Sequence, residues 1–349
     1  MSVTKKVFGT DKNSGKTIFQ YSIKNKYGMK AEIINFGAIL THLWVPDAEG
    51  VLADVTLGHD ELEPYYENAG CLGATVGPSA NRIGGAAFVI DGVKYKIPVN
   101  EGENNLHSDN IQGYQKRVFE AEEGENAVTF FLTDVDGCMG FPGNKLMKVT
   151  YSLSDENELR LEYQASSDKK TVLNPTNHSY FNLCGQGSGT IEDHILWLKA
   201  SHYTVTARGS IPTGEILPVS GTPMDFTTAK TIGKEIDTDY AQLKLTSGYD
   251  QNWVVDDFDG QLQLIAEVCA PGTTRQMKVF TTLPGVQFYA GNFLDDQKGK
   301  QEAEYHKRYG LALETQYFPD SVNKTNFPDV VFGPDRKYVS TTIYAFSNQ

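Results

Sequence analysis

Cysteine is scarce in this chain of 349 residues, where only Cys71, Cys138, Cys184 and Cys269 are present. They lie far apart with no C-x-x-C pair, which argues against a zinc site or a disulfide frame and leads us to expect reduced thiols in a cytoplasmic protein. Long hydrophobic runs are missing as well. No stretch approaches the roughly 18 apolar residues that a membrane span requires, and the opening segment Met1–Gly9, followed by Asp11, Lys12 and Lys16, lacks the apolar region of a secretory signal. Basic residues are in deficit, 31 Lys and Arg against 44 Asp and Glu, for a formal charge of −13. A surface of that sign repels nucleic acid and anionic membrane, so neither is expected as a partner.

Signature motifs of several chemistries are absent too. There is no G-x-x-x-x-G-K-[ST], no H-E-x-x-H and no G-x-S-x-G, which removes support for phosphate cradling, zincin chemistry and the usual hydrolase nucleophile. Gly185-Gln186-Gly187-Ser188-Gly189-Thr190 begins like a dinucleotide fingerprint but lacks its last glycine and a strand-to-helix setting, and reads as a loop.

What the chain does have is apolar residues at 40%, aromatics at 11% and charged residues at only 21%, a composition that folds. The dominant pattern is period two. Phe19, Tyr21 and Ile23 alternate with Gln20, Ser22 and Lys24; Met29, Ala31 and Ile33 alternate with Lys30 and Glu32. Ala87–Ile90, Asp91-Gly92 and Val93–Ile97 make a strand, a two-residue turn and a strand, the pattern of a hairpin. Met147–Leu153 and Leu159–Ala165 form a second around Ser154–Glu158. Helical spacing is weak: Asp60–Asn68 and Lys230–Leu243 are the two segments expected to hold a short helix. A doubly wound α/β fold would need a helix after nearly every strand. The chain is therefore expected to be all-β and antiparallel, and with no repeat or linker to divide it, a single domain over residues 1–349.

Within those strands a few polar residues stand out. Leu311–Gln316 reads as a strand with Leu311, Leu313 and Thr315 on one face and Ala312, Glu314 and Gln316 on the other. A carboxylate hemmed in there would be desolvated and raised toward the range of a general base, whereas the same residue on an edge strand would face water. Asn177-His178-Ser179-Tyr180-Phe181-Asn182 sets an imidazole between amides and aromatics, suited either to proton transfer or to a satisfied place in a β core. Asn104-Asn105-Leu106-His107, Ser79-Ala80-Asn81-Arg82 and Gly248-Tyr249-Asp250-Gln251-Asn252 admit the same two readings, since turns use these residue types.

Taken together and in order, the segments resemble the aldose 1-epimerase (galactose mutarotase) family over nearly the whole chain. The carrying stretches are Asn81-Arg82-Ile83-Gly84-Gly85, Asn105-Leu106-His107, Asn174-Pro175-Thr176-Asn177-His178-Ser179-Tyr180-Phe181-Asn182-Leu183, Ile211-Pro212-Thr213-Gly214-Glu215-Ile216, Gly221–Phe226, Gly248-Tyr249-Asp250, Pro284-Gly285-Val286-Gln287-Phe288-Tyr289 and Leu313-Glu314-Thr315-Gln316-Tyr317-Phe318-Pro319-Asp320-Ser321. The resemblance implies a large antiparallel β-sandwich (a supersandwich) with few short helices, a sugar groove, and interconversion of the α and β anomers of free aldoses such as galactose and glucose. By position it implies Glu314 as catalytic base, His178 as catalytic acid, and Asn81, Arg82, His107, Asp250 and Gln287 as substrate-binding residues. Phe181, Trp253, Phe288 and Tyr289 are either stacking surfaces for a sugar or core.

That chemistry suits these residue types. Mutarotation needs one base and one acid, oxidises nothing and carries no group, so no nicotinamide, flavin, phosphate or metal is expected. The chain departs from the family pattern at Pro78-Ser79, at Ser108-Asp109 and at Gln251, which bears on sugar preference. Three other functions stay open: a sugar-phosphate epimerase, which would need a basic cluster; a non-catalytic carbohydrate-binding protein; and a glycoside hydrolase using Asp250 with Glu314. The expected assembly is a monomer or homodimer acting on a small-molecule sugar.

Overall fold

The structure is a computed structural model that describes residues 2–348. Its main bodies are three antiparallel sheets. Nine strands form the largest, in the order Glu120–Glu123, Ala127–Asp134, Lys145–Leu153, Glu158–Ser167, Tyr338–Asn348, Arg275–Thr281, Gln263–Cys269, Ile195–Leu198 and Lys230–Thr231. Six form the second: Tyr180–Phe181, Leu311–Gln316, Gly285–Tyr289, Asp250–Val254, His202–Thr206 and Pro212–Pro218. Five consecutive strands from Ser2 to Asp54 form the third.

Strand alternation decides which faces meet. In the Lys145–Leu153 strand every second residue is buried, and Met147, Val149, Tyr151 and Leu153 enter one continuous apolar cluster. That cluster takes Leu311, Leu313, Val286, Phe288 and Trp253 from the six-stranded sheet and Tyr21, Ile23, Ala31 and Ile33 from the five-stranded one. Phe181 and Tyr344 pack across the layers with ring centroids 4.8 Å apart, and Tyr344 Oη donates to the Leu313 carbonyl at 3.3 Å. The nine-stranded sheet is thus the common floor on which both smaller sheets stack, as apolar faces of sheets require.

Both expected hairpins form: Ala87–Ile90 pairs with Val93–Lys96, and Lys145–Leu153 with Glu158–Ser167 in a register that places Leu153 opposite Leu159. In the Thr17–Lys24 strand the alternation is broken: Ile18 and Gln20 are buried, and Phe19 is only partly so. Gln20 is held inside by donating to Thr41 Oγ1 at 3.0 Å, so this strand carries packing on both faces. One short helix lies at Glu63–Glu67, inside the expected Asp60–Asn68. The other is displaced from Lys230–Leu243. There the chain forms a strand at Lys230–Thr231 and a 3-10 turn at Ile232–Lys234, and the α-helix runs Ala241–Thr246. Gly233 lies against Glu192, a close approach that a side chain would obstruct and that holds the segment to its neighbour instead of letting it coil.

Candidate active site

The six-stranded sheet has one dry face and one face built of polar residues. Its register aligns Glu314 with Gln287 and Gln287 with Asn252; two residues along the strands it aligns Ala312 with Tyr289 and Tyr289 with Asp250. Leu311–Gln316 lies between two other strands rather than at an edge, pairing with Gly285–Tyr289 at Glu314 and with Tyr180–Phe181 at Leu311 and Ala312. Glu314 is 2% exposed. Burial, reinforced by the charge of Asp250 and opposed by Arg82, pushes the Glu314 carboxyl well above the usual carboxylate range.

His178 falls on the link between the strands Thr176–Asn177 and Tyr180–Phe181. Its amide donates to the Ala74 carbonyl at 2.9 Å and its own carbonyl accepts from Gly73 at 3.0 Å, so the backbone is pinned on both sides. The ring stacks on Tyr180, with centroids 5.0 Å apart, and meets His107 edge-on at 5.5 Å. Its Nε2 stands 3.5 Å from Glu314 Oε1. Burial lowers the imidazole pKa to about 4. Nδ1 of His178 and Oε2 of Glu314 are buried without a hydrogen-bond partner among the described residues. Such orphans cost about 1–3 kcal/mol each, a cost that persists where a ligand or chemistry uses the atoms.

Asn81 and His107 hold each other in an unusual conformation. Both have left-handed backbones, with φ of 54° and 55°. The His107 amide donates to the Asn81 carbonyl at 3.0 Å, and the Asn81 amide donates to His107 Nδ1 at 3.2 Å. With Nδ1 accepting, a neutral His107 carries its proton on Nε2 and presents a donor. Burial, then the neighbouring His178 and Arg82, drive its pKa well below the ordinary histidine value, so it stays neutral. Paired strained residues of this kind mark places where geometry is held for function.

Glu314, His178, Asn81, Arg82, His107 and Asp250 all line one cleft of about 970 Å³. Gln287, expected at the sugar, is not on its wall; it lies beside it, donating from Nε2 to Asp250 Oδ1 at 2.7 Å. Asp250 is also raised by burial, with Arg82 and Gln287 pulling it back. Of the aromatic residues that were stacking candidates, Phe181, Trp253 and Phe288 are core, whereas Tyr289 lines the cleft. Tyr180, Phe293, Arg208 and Glu101 line it as well. None of these four was marked in the sequence; only Tyr180 carried a signal, as the aromatic two residues from His178. Two departures from the family pattern prove to be partners: the Ser79 amide donates to Ser108 Oγ at 2.9 Å, and that hydroxyl donates to the Ser79 carbonyl at 2.8 Å. The third, Gln251, is buried and donates to the Gln242 carbonyl and to Thr246 Oγ1, each at 3.0 Å.

Among solved structures, the chain superposes with a TM-score of 0.86 on an aldose epimerase homologue from C. elegans, 31% identical, covering 94% of this chain and 98% of that one. It matches galactose 1-epimerase from Lactobacillus acidophilus with the same TM-score at 26% identity, covering 99% of each chain. The fold is that of the galactose mutarotase type, a β architecture with a sugar isomerase chemistry. The sequence profile described as Aldose 1-epimerase matches residues 20–345, and the galactose mutarotase of Mus musculus is 40% identical over 99% of both chains. The aldose 1-epimerase of Escherichia coli strain K12 is 35% identical over 93% of this chain and 94% of its own length. The chain belongs to the aldose 1-epimerase family and is an enzyme of that kind.

Proposed function

We propose that this protein interconverts the α and β anomers of free aldohexoses, galactose and glucose foremost, with Glu314 as base and His178 as acid. The observation that carries this reading is a buried carboxylate and a buried imidazole 3.5 Å apart on the wall of a cleft otherwise lined by hydrogen-bonding side chains. Glu314 removes the proton from the anomeric hydroxyl as a proton passes from His178 to the ring oxygen. The bond from C1 to the ring oxygen breaks and C1 becomes an aldehyde; rotation about C1–C2 presents its other face, and the same steps in reverse close the ring. Glu314 then returns its proton and His178 recovers its own, so nothing is consumed. Each proton transfer contributes about 10²- to 10⁴-fold.

Burial disfavours the charged form of both groups, so between the pKa values of His178 and Glu314 the pair holds a single proton. Sugar hydroxyls donating to Glu314 favour its ionised form and move that proton to His178, the arrangement that ring opening needs. Asn81, Arg82, His107 and Asp250 supply donors and acceptors for the ring hydroxyls; Gln287 acts by holding Asp250. The cleft draws on residues from Ala69 to Glu314, which supports one domain over residues 1–349. The four free cysteines suit a reducing cytoplasm.

Polarimetry on freshly dissolved α-galactose, α-glucose and glucose 6-phosphate tests the reading. The two free sugars are expected to reach rotational equilibrium faster with the protein than without it. Galactose binding with no acceleration would instead leave a carbohydrate-binding protein.

A further inference from the structure

Arg82 does not stand alone in the cleft. Its Nε donates to Glu101 Oε2 at 2.6 Å and its Nη2 to Glu101 Oε1 at 2.7 Å, a two-pronged pair in which the arginine side chain is 13% exposed and the glutamate 34%. The partner is delivered by a tight turn. The Asn104 amide donates to the Glu101 carbonyl at 2.9 Å, Gly102 takes a φ of 58°, and the following strand, Asn105–Leu106, pairs with Arg82–Ile83. The Nε–Nη2 edge used here is one of the guanidinium edges able to take a phosphate by two parallel hydrogen bonds. The cleft wall as a whole carries Glu101, Glu103, Asp250 and Glu314 against Arg82 and Arg208.

We propose that Glu101 is a positioning and specificity residue: it fixes Arg82 so that the Nη1 end is left for a neutral hydroxyl, and by occupying the Nε–Nη2 edge and setting its own negative charge beside the end that remains it keeps phosphorylated sugars out. This rests on the reading of the cleft as an aldose site. It assigns to the enzyme a preference for neutral aldoses that comes from a particular ion pair rather than from the overall charge of −13.

The test measures anion binding directly, by calorimetric titration of inorganic phosphate and of glucose 6-phosphate into wild type, Glu101→Gln, Glu101→Asp and the double variant Arg82→Gln/Glu101→Gln. Glu101→Gln is expected to bind both anions at least about tenfold more tightly than wild type, since an edge able to form charge-assisted pairs is freed. Glu101→Asp should restore rejection, and the double variant should lose the gain. With free aldose, Glu101→Gln should raise KM and leave kcat nearly unchanged. Glu101→Gln binding anions no more tightly than wild type would overturn the proposal, as would a gain that survives loss of Arg82 and so belongs to Arg208. Should Glu101→Gln fail to fold, Glu101→Ala gives the same reading. Because titration does not depend on turnover, an anion gain without mutarotation would reject the catalytic reading alone, and mutarotation without the gain would reject this one alone.

Discussion

At Glu314 and His178, burial acts on two ionisable groups in opposite directions, raising the carboxyl and lowering the imidazole to about 4. The sign of the pH dependence follows. Below about 4 the pair gains a second proton and has no base; above the raised pKa of Glu314 it loses its last proton and has no acid. kcat/KM should therefore follow a bell whose acid limb lies near pH 4, with full activity on the alkaline side of the ordinary carboxylate range. An acid limb near 6.5, where an exposed histidine titrates, would mean that His178 is not buried as described. Taken alone, the segments around these two residues admitted a structural reading as readily as a functional one, and it was the ordered set of segments resembling the family that singled them out. Glu101 was not singled out, because a glutamate in an Asn-Glu-Gly-Glu turn looks like any solvated loop residue until the pairing of Asn105–Leu106 with Arg82–Ile83 brings it to the guanidinium.

Among the elements, the Leu311–Gln316 and Gly285–Tyr289 strands carry the site, and their packing is tight. A Cβ at Gly285 would come 2.5 Å from Asn252 Oδ1 and 2.9 Å from Phe318. Gly285→Ala should cost roughly 1–3 kcal/mol in chemical denaturation and, by shifting the strand that bears Gln287, also lower kcat/KM. Strands were readable where one face is apolar and the other polar, as in Lys145–Leu153. Gln20 and Glu314 were harder to assign, because a polar residue buried on a second packed face breaks or mimics alternation. The helix expected within Lys230–Leu243 begins only at Ala241 and runs to Thr246, and the earlier part is held by a tertiary contact, the close seat of Gly233 on Glu192, which no local pattern records.

Over the whole molecule, the three sheets had no sequence signature of their stacking order, since alternation shows which face is buried but not against what. One buried ion pair ties distant parts together. Lys300, fully buried, donates from Nζ to Asp54 Oδ2 at 2.5 Å and to the carbonyls of Thr41 and Thr56 at 2.7 and 2.6 Å, joining the five-stranded sheet to the segment that follows Phe293 and Gln297. Lys300→Ala leaves Asp54 buried and unpaired and should cost about 3–5 kcal/mol in urea unfolding. The central claim is that the cleft of this folded whole works through a carboxylate base. The most direct measurement is the polarimetric rate of α-galactose mutarotation by wild type and Glu314→Gln at matched concentration and near-neutral pH, with melting curves to show that both are folded. The account predicts a loss of at least about 10²-fold in kcat for the variant, whereas a folded Glu314→Gln protein with wild-type activity would contradict it.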